Sequence, residues 1–153
     1  MKEVKIYGKS IFKILAIINK LQLKNYLGEI YARYTNLEKK NRIAKVKLLK
    51  ELDRNGLENN TDNIAIILEE NKTLAQELGE IEKENASITQ DILFTILEKI
   101  VYAEKEIYEL LADVYGKNIK EISEETDLLD LAEMVEGIIK NNDFKKVFTK
   151  LFK

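Results

Sequence analysis

A chain of 153 residues with no proline and only six glycines contains few places where a helix is forced to stop. Proline removes a backbone donor and clashes with the preceding turn, and glycine adds backbone freedom, so these two residues are the usual interrupters. Their scarcity predicts an all-α fold, a multi-helix domain with long central helices and short C-terminal ones. The expected layout is a single helical domain, 1–153: basic N-terminal helices over 1–55, a long acidic helical region over 60–116 and short helices over 117–153. Val4 and Ile6 alternate with Lys5 and Tyr7 ahead of Gly8, which fits a short strand or an extended arm. No Pro-rich or Ser-rich linker and no repeat of ~20–50 residues divides the chain.

Apolar spacing places the helices. Ser10 suits an N-cap for a first helix carrying Ile11, Phe12, Ile14, Leu15, Ile17, Ile18 and Leu21. A second helix is expected from about Lys24 to Asp53. Tyr26, Leu27, Ile30, Tyr31, Tyr34 and Leu37 form its stripe, Ile43, Val46, Leu49 and Leu52 continue it, and Asn36 is a point where it could be interrupted. Asn55-Gly56 reads as a stop, with Gly56 in the left-handed position. The caps in NNTDN, 59–63, precede a long helical region in which Ile67, Leu74, Ile81 and Ile88 recur every seven residues. Ile64, Asn71, Leu78, Asn85 and Ile92 form a second series offset by three, so the pair makes an a/d pattern with asparagine at two a positions. This is either a coiled-coil seam whose register the asparagines fix, or an amphipathic helix broken near Gly79 or at 85–87 with the asparagines exposed. The dense apolar run from Ile92 to Tyr115 is expected to be the central core helix, ended by Gly116. Asn118 suits the cap of a short turn, and Thr126 or Asp127 that of another helix. A last helix carries Phe144, Val147, Phe148, Leu151 and Phe152 against Lys145, Lys146, Lys150 and Lys153.

The stretch LADVYGKNIKEISEETD, 111–127, has the spacing of a helix-turn-helix. Its second helix, about Asn118 to Glu125, carries Lys120 but also Glu121, Glu124 and Glu125, with Asp127 beyond. Acidic side chains repel phosphate, and the segment holds no Arg or Gln for a bidentate base contact. The spacing therefore explains a corner, while the charge argues against nucleic acid as a partner.

Net charge is −2, unevenly spread: +10 over residues 1–50, −16 over 51–136 and +4 over 137–153. Such asymmetry marks a nucleic-acid surface or, with so large an acidic block, parts or copies of one molecule that attract each other. The chain has no cysteine, histidine or tryptophan, which excludes disulfides, thiol chemistry, Cys/His zinc sites and His-dependent triads. The carboxylates Glu80, Glu82 and Glu84 do not converge on one helical face, and there is no phosphate-binding glycine loop. No catalytic residue, metal or cofactor is expected. No apolar run reaches the ~18–20 residues of a membrane span and the N-terminus lacks an apolar signal core, so a cytoplasmic protein with no membrane partner is the default.

Partner binding is the remaining expectation. Phe144, Val147, Phe148, Leu151 and Phe152 have the i, i+3, i+4, i+7 spacing of a helix-in-groove contact, although the same row suits a last core helix. Tyr26, Tyr31 and Tyr34 suit an interface because tyrosine offers area with a polar tip.

Residues 110–153, LLADVYGKNIKEISEETDLLDLAEMVEGIIKNNDFKKVFTKLFK, resemble the tail assembly chaperones of long-tailed phages and prophages of low-GC Gram-positive bacteria. The likeness lies in an apolar helix ending at Gly116-Lys117, an acidic turn with Ile119 and Ile122, then Leu128, Leu131 and Ile138-Ile139. The Asn142-Asp143-Phe144 break and a Lys/Phe helix complete it. The resemblance implies a helical protein of the host cytoplasm that holds the tape-measure protein soluble while tail-tube protein assembles, and that is absent from the virion. Many such chaperones are made in two lengths by programmed frameshifting, the longer form recruiting tube protein. Self-association would let many copies coat one client. A small helix-turn-helix regulator and a coiled-coil scaffold through 64–92 are the alternatives.

Overall fold

The computed structural model describes residues 4–152, and among these there is no strand. Seven α-helices succeed one another: α1 (Gly8–Lys20), α2 (Lys24–Arg54), α3 (Thr61–Glu70), α4 (Lys72–Lys99), α5 (Glu104–Tyr115), α6 (Leu128–Ile139) and α7 (Asn142–Phe152). A 3-10 turn, Ile100–Tyr102, joins α4 to α5, and a π-helical turn, Glu121–Glu125, precedes α6. The fold is all-α. Residues 4–7 take the form of an arm rather than a strand, and the Val4 carbonyl accepts a hydrogen bond from Asn141 Nδ2 at 2.6 Å.

The chain divides into two compact units, Met1–Tyr31 with Thr89–Lys153, and Ala32–Ile88. The boundaries fall inside α2 and α4, where no loop or linker marks them.

The first unit is built on α1, the start of α2, the end of α4, and α5 to α7. Ile14, Ile17 and Leu21 of the α1 side and Ile107, Leu110 and Leu111 of α5 are buried, each burial contributing about 1.5–3 kcal/mol. Two ion pairs link α1 to α5: Lys13 Nζ meets Asp113 Oδ2 at 2.6 Å and Lys20 Nζ meets Glu106 Oε1 at 2.5 Å. The Lys13–Asp113 approach lies outside hydrogen-bond angles, so it is an ion contact. Gly116 ends α5 in the left-handed conformation at φ 64, and its N–H returns to the Ala112 carbonyl. Asp127 caps α6 by accepting from the Asp130 N–H at 2.8 Å.

Two expectations fail here. Ser10 is not a cap: it lies inside α1, fully buried, and its hydroxyl has no hydrogen-bond partner. The run 92–115 is not one core helix. It bends through Ile100–Tyr102, where Ala103 is buried at φ −140, while Val101 and Tyr102 are exposed.

The second unit is the remainder of α2, then α3 and the start of α4. Its core is Ala44, Leu52, Ile67 and Leu74, with Leu48, Ile64, Leu78 and Ile81 packed against them. The α2 helix runs uninterrupted through Asn36, and Gly56 stops the chain beyond it at φ 64. Asn60 caps α3 by accepting from Asn63 N–H at 2.9 Å. The helical region then breaks at Asn71, not at Gly79 or 85–87. Asn71 N–H closes α3 on the Ile67 carbonyl at 2.8 Å, and Asn71 Oδ1 opens α4 by accepting from Leu74 N–H at 3.0 Å. The seven-residue series is thus used inside one chain: Ile64, Ile67, Leu74, Leu78 and Ile81 face α2. Ile43, Val46 and Leu49 are not part of that core but exposed, because Ala44, Leu48 and Leu52 form the inward face.

Candidate protein-binding surface

The terminal helix α7 is started by one side chain. Asn141 Oδ1 accepts from the N–H groups of Asp143 at 2.8 Å and Phe144 at 3.2 Å, and Asn141 Nδ2 holds the N-terminal arm. The cap fixes where the first aromatic residue points. Phe144, Phe148 and Phe152, four residues apart, then lie along one face.

Their rings form a continuous row. Phe144 stacks on Phe148 with centroids 6.1 Å apart and planes at 16°, and Phe148 lies 4.9 Å from Phe152. Tyr31 of α2 closes the row, edge-on to Phe148 at 6.1 Å and 6.3 Å from Phe152. Aromatic pairs at these separations add about 0.5–1.5 kcal/mol beyond their buried area. Phe148 is buried, Phe144, Val147 and Phe152 are half-buried, and Leu151 stands 42% exposed at the outer edge.

Tyr26, also on α2, borders an apolar cavity of about 70 Å³ that Phe144, Ile107 and Val135 line as well. Its hydroxyl is buried without a hydrogen-bond partner. Tyr34 belongs to the other unit, where burial first and a hydrogen bond to Glu38 second raise its hydroxyl above the ordinary 10.0. The structure therefore gathers Phe144, Phe148, Phe152 and Tyr31 into one cluster, sets Tyr26 on a cavity sharing Phe144, and assigns Tyr34 to the second unit. Much of the expected binding row is packed on its own chain, and Leu151 is its accessible member.

Accessible apolar side chains lie elsewhere. Phe12, Phe94, Val101, Tyr102, Leu128 and Leu129 are all exposed. Phe12 was expected in the apolar row of a largely buried first helix, but it stands two positions before Ile14 and so falls off the buried face of α1. Nor was the exposure of Leu128 legible: it lies three residues before buried Leu131, yet it opens α6 beyond the packed surface.

Within 111–127 the spacing turns one helix into the next. The segment that would have to read DNA is only a short turn: Asn118 Oδ1 accepts from Glu121 N–H at 2.8 Å, Ile122 is buried, and Glu124 and Glu125 face solvent. Among the described residues, no group of three or more acids is placed to hold a metal ion, and no helix is long and apolar enough to cross a membrane. No family model, curated protein or solved structure matches the chain.

Proposed function

We propose that this chain is a noncatalytic tail assembly chaperone of the phage kind, which holds an amphipathic tape-measure helix soluble in the host cytoplasm while tail-tube protein assembles, and which does not enter the virion. The observation that carries this reading is the apolar surface left open to water. Thirteen large hydrophobic side chains are exposed among the described residues, in a chain whose residues are 34% charged. A holdase needs both: apolar patches for a client that would otherwise aggregate, and charge to keep the complex dissolved. The resemblance of 110–153 supplies the client class. Leu151 at the edge of the Tyr31–Phe148–Phe152 cluster is the proposed first contact, with a client helix extending the aromatic row.

Co-expression with a phage tape-measure protein, the proposed long amphipathic client, tests this. The client should shift from the insoluble to the soluble fraction with this chain, and a Leu151→Asp variant should reduce that shift severalfold. A client equally insoluble with and without this chain would overturn the proposal. Retarded migration of duplex DNA at ~150 mM salt would instead support the regulator reading.

A further inference from the structure

We propose that copies of this chain associate through two unlike patches: Ile43, Val46 and Leu49 of α2 in one copy pack on Leu128 and Leu129 of α6 in the next. The inference holds whatever the client is.

The first patch is an exposed aliphatic stripe, with Ile43 at the edge of a groove that Ile81 of α4 also lines. Ile43, Val46 and Leu49 are 49%, 50% and 49% exposed, on the side of α2 turned away from Ala44, Leu48 and Leu52. Residues 39–50 hold six basic side chains and no acidic one. Of these only Lys47 has a carboxylate within ion-pair distance among the described residues, Glu77 at 2.9 Å. The other five basic groups have no ion-pair partner among the described residues, although Lys40 and Ile43 share a groove with Glu77, Glu80 and Glu84 of α4 at one edge of the stripe.

The second patch has the opposite charge and the same apolar character. Leu128 and Leu129 are 74% and 69% exposed at the start of α6. Residues 121–133 hold six acidic side chains and no basic one. Lys120 reaches Glu124 at 3.8 Å, whereas Glu125, Asp130 and Glu133 have no cation at ion-pair distance among the described residues.

Exposed aliphatics ringed by one sign of charge are poor sites for like surfaces and good ones for the opposite sign. A second copy carries that complement. The basic side chains left unpaired on one copy meet the acidic ones left unpaired on the next, across a contact whose centre is three aliphatic side chains against two leucines, an apolar core with a charged rim. Because the patches differ, the contact is not self-complementary. Copies therefore add head to tail, into a ring where the rotation closes and into an open chain where it does not.

The test is sedimentation velocity on the whole chain from about 5 to about 200 μM, at ~50 and ~500 mM salt. The wild type should self-associate with concentration, and its apparent Kd should weaken at least about threefold at the higher salt. Val46→Glu and Leu128→Lys both change exposed positions, so each should keep the wild-type melting temperature and sediment as a monomer. Mixed in equal amounts they should associate again, since each retains the patch the other lacks and Glu faces Lys where both are changed. A wild type that stays monomeric throughout would overturn the proposal. So would variants that associate as the wild type does, or a mixture that behaves as its separate parts. Binding of the monomer to anionic vesicles or nucleic acid that Val46→Glu abolishes would also overturn it, and would assign the basic stripe to that ligand.

Discussion

The Tyr115 side chain lies over Gly137 so closely that a methyl group there would overlap the Tyr115 hydroxyl. That hydroxyl donates to the Met134 carbonyl at 2.6 Å, binding the end of α5 to the middle of α6. Alanine at 137 should therefore lower stability by about 1–3 kcal/mol through overpacking, although the same change in an open helix would raise it by about 1 kcal/mol. In a Tyr115→Phe background the obstruction is gone, and Gly137→Ala should become neutral or stabilising. Urea unfolding of the four-member cycle measures that change of sign.

Ser10 presents the opposite case, a buried hydroxyl without a partner. Ser10→Ala removes an unmet hydrogen-bonding group and improves helix propensity. The variant should be as stable as the wild type or more stable by about 1 kcal/mol, read from the urea midpoint.

Asn71 ends one helix and begins another. Asn71→Ala should cost about 1 kcal/mol through the lost bond to the Leu74 N–H, with no change in sedimentation. Were Asn71 a seam residue between two chains, the substitution would change the oligomeric state instead.

The α1–α5 ion pairs give a pH dependence of known sign. The hydrogen bond from Lys20 holds Glu106 below its ordinary 4.5, and the ammonium of Lys13, with Lys9 further off, holds Asp113 below 3.8. A carboxyl depressed in the folded state stabilises at pH above its unfolded value and loses that contribution as pH falls through the folded one. The wild type should therefore be more stable than Lys13→Met or Lys20→Met at neutral pH. The differences should shrink once pH drops below 4.5 for Glu106 and below 3.8 for Asp113. Urea midpoints across that range check it.

What the sequence disclosed depended on whether the signal was local. Gly56, Gly116, Asn60 and Asp127 act on backbone within a few residues, and each stop or cap stands where residue chemistry puts it. The bend at 100–103 has no such marker: no side chain caps Ala103, and tertiary packing of a small residue makes the turn. In α2 two stripes interleave, and nothing within the helix decides whether Ala44, Leu48 and Leu52 or Ile43, Val46 and Leu49 face inward. Partners on α3 and α4 decide it. The site divides the same way. The four-residue spacing of Phe144, Phe148 and Phe152 was readable, whereas their packing on Tyr31, more than a hundred positions earlier, was not.

The boundaries at 31/32 and 88/89 set an order of birth. Residues 32–88 form one continuous segment that holds its own contacts, the longest of them from Arg33 to Ser87, so that unit can close as soon as it leaves the ribosome. The other unit has its first strip of sequence waiting, with Ile14, Ile17 and Leu27 uncovered, until the polymer beyond residue 89 emerges to meet it. Nascent chains arrested before α5 should thus carry a protease-resistant middle and a cleavable front.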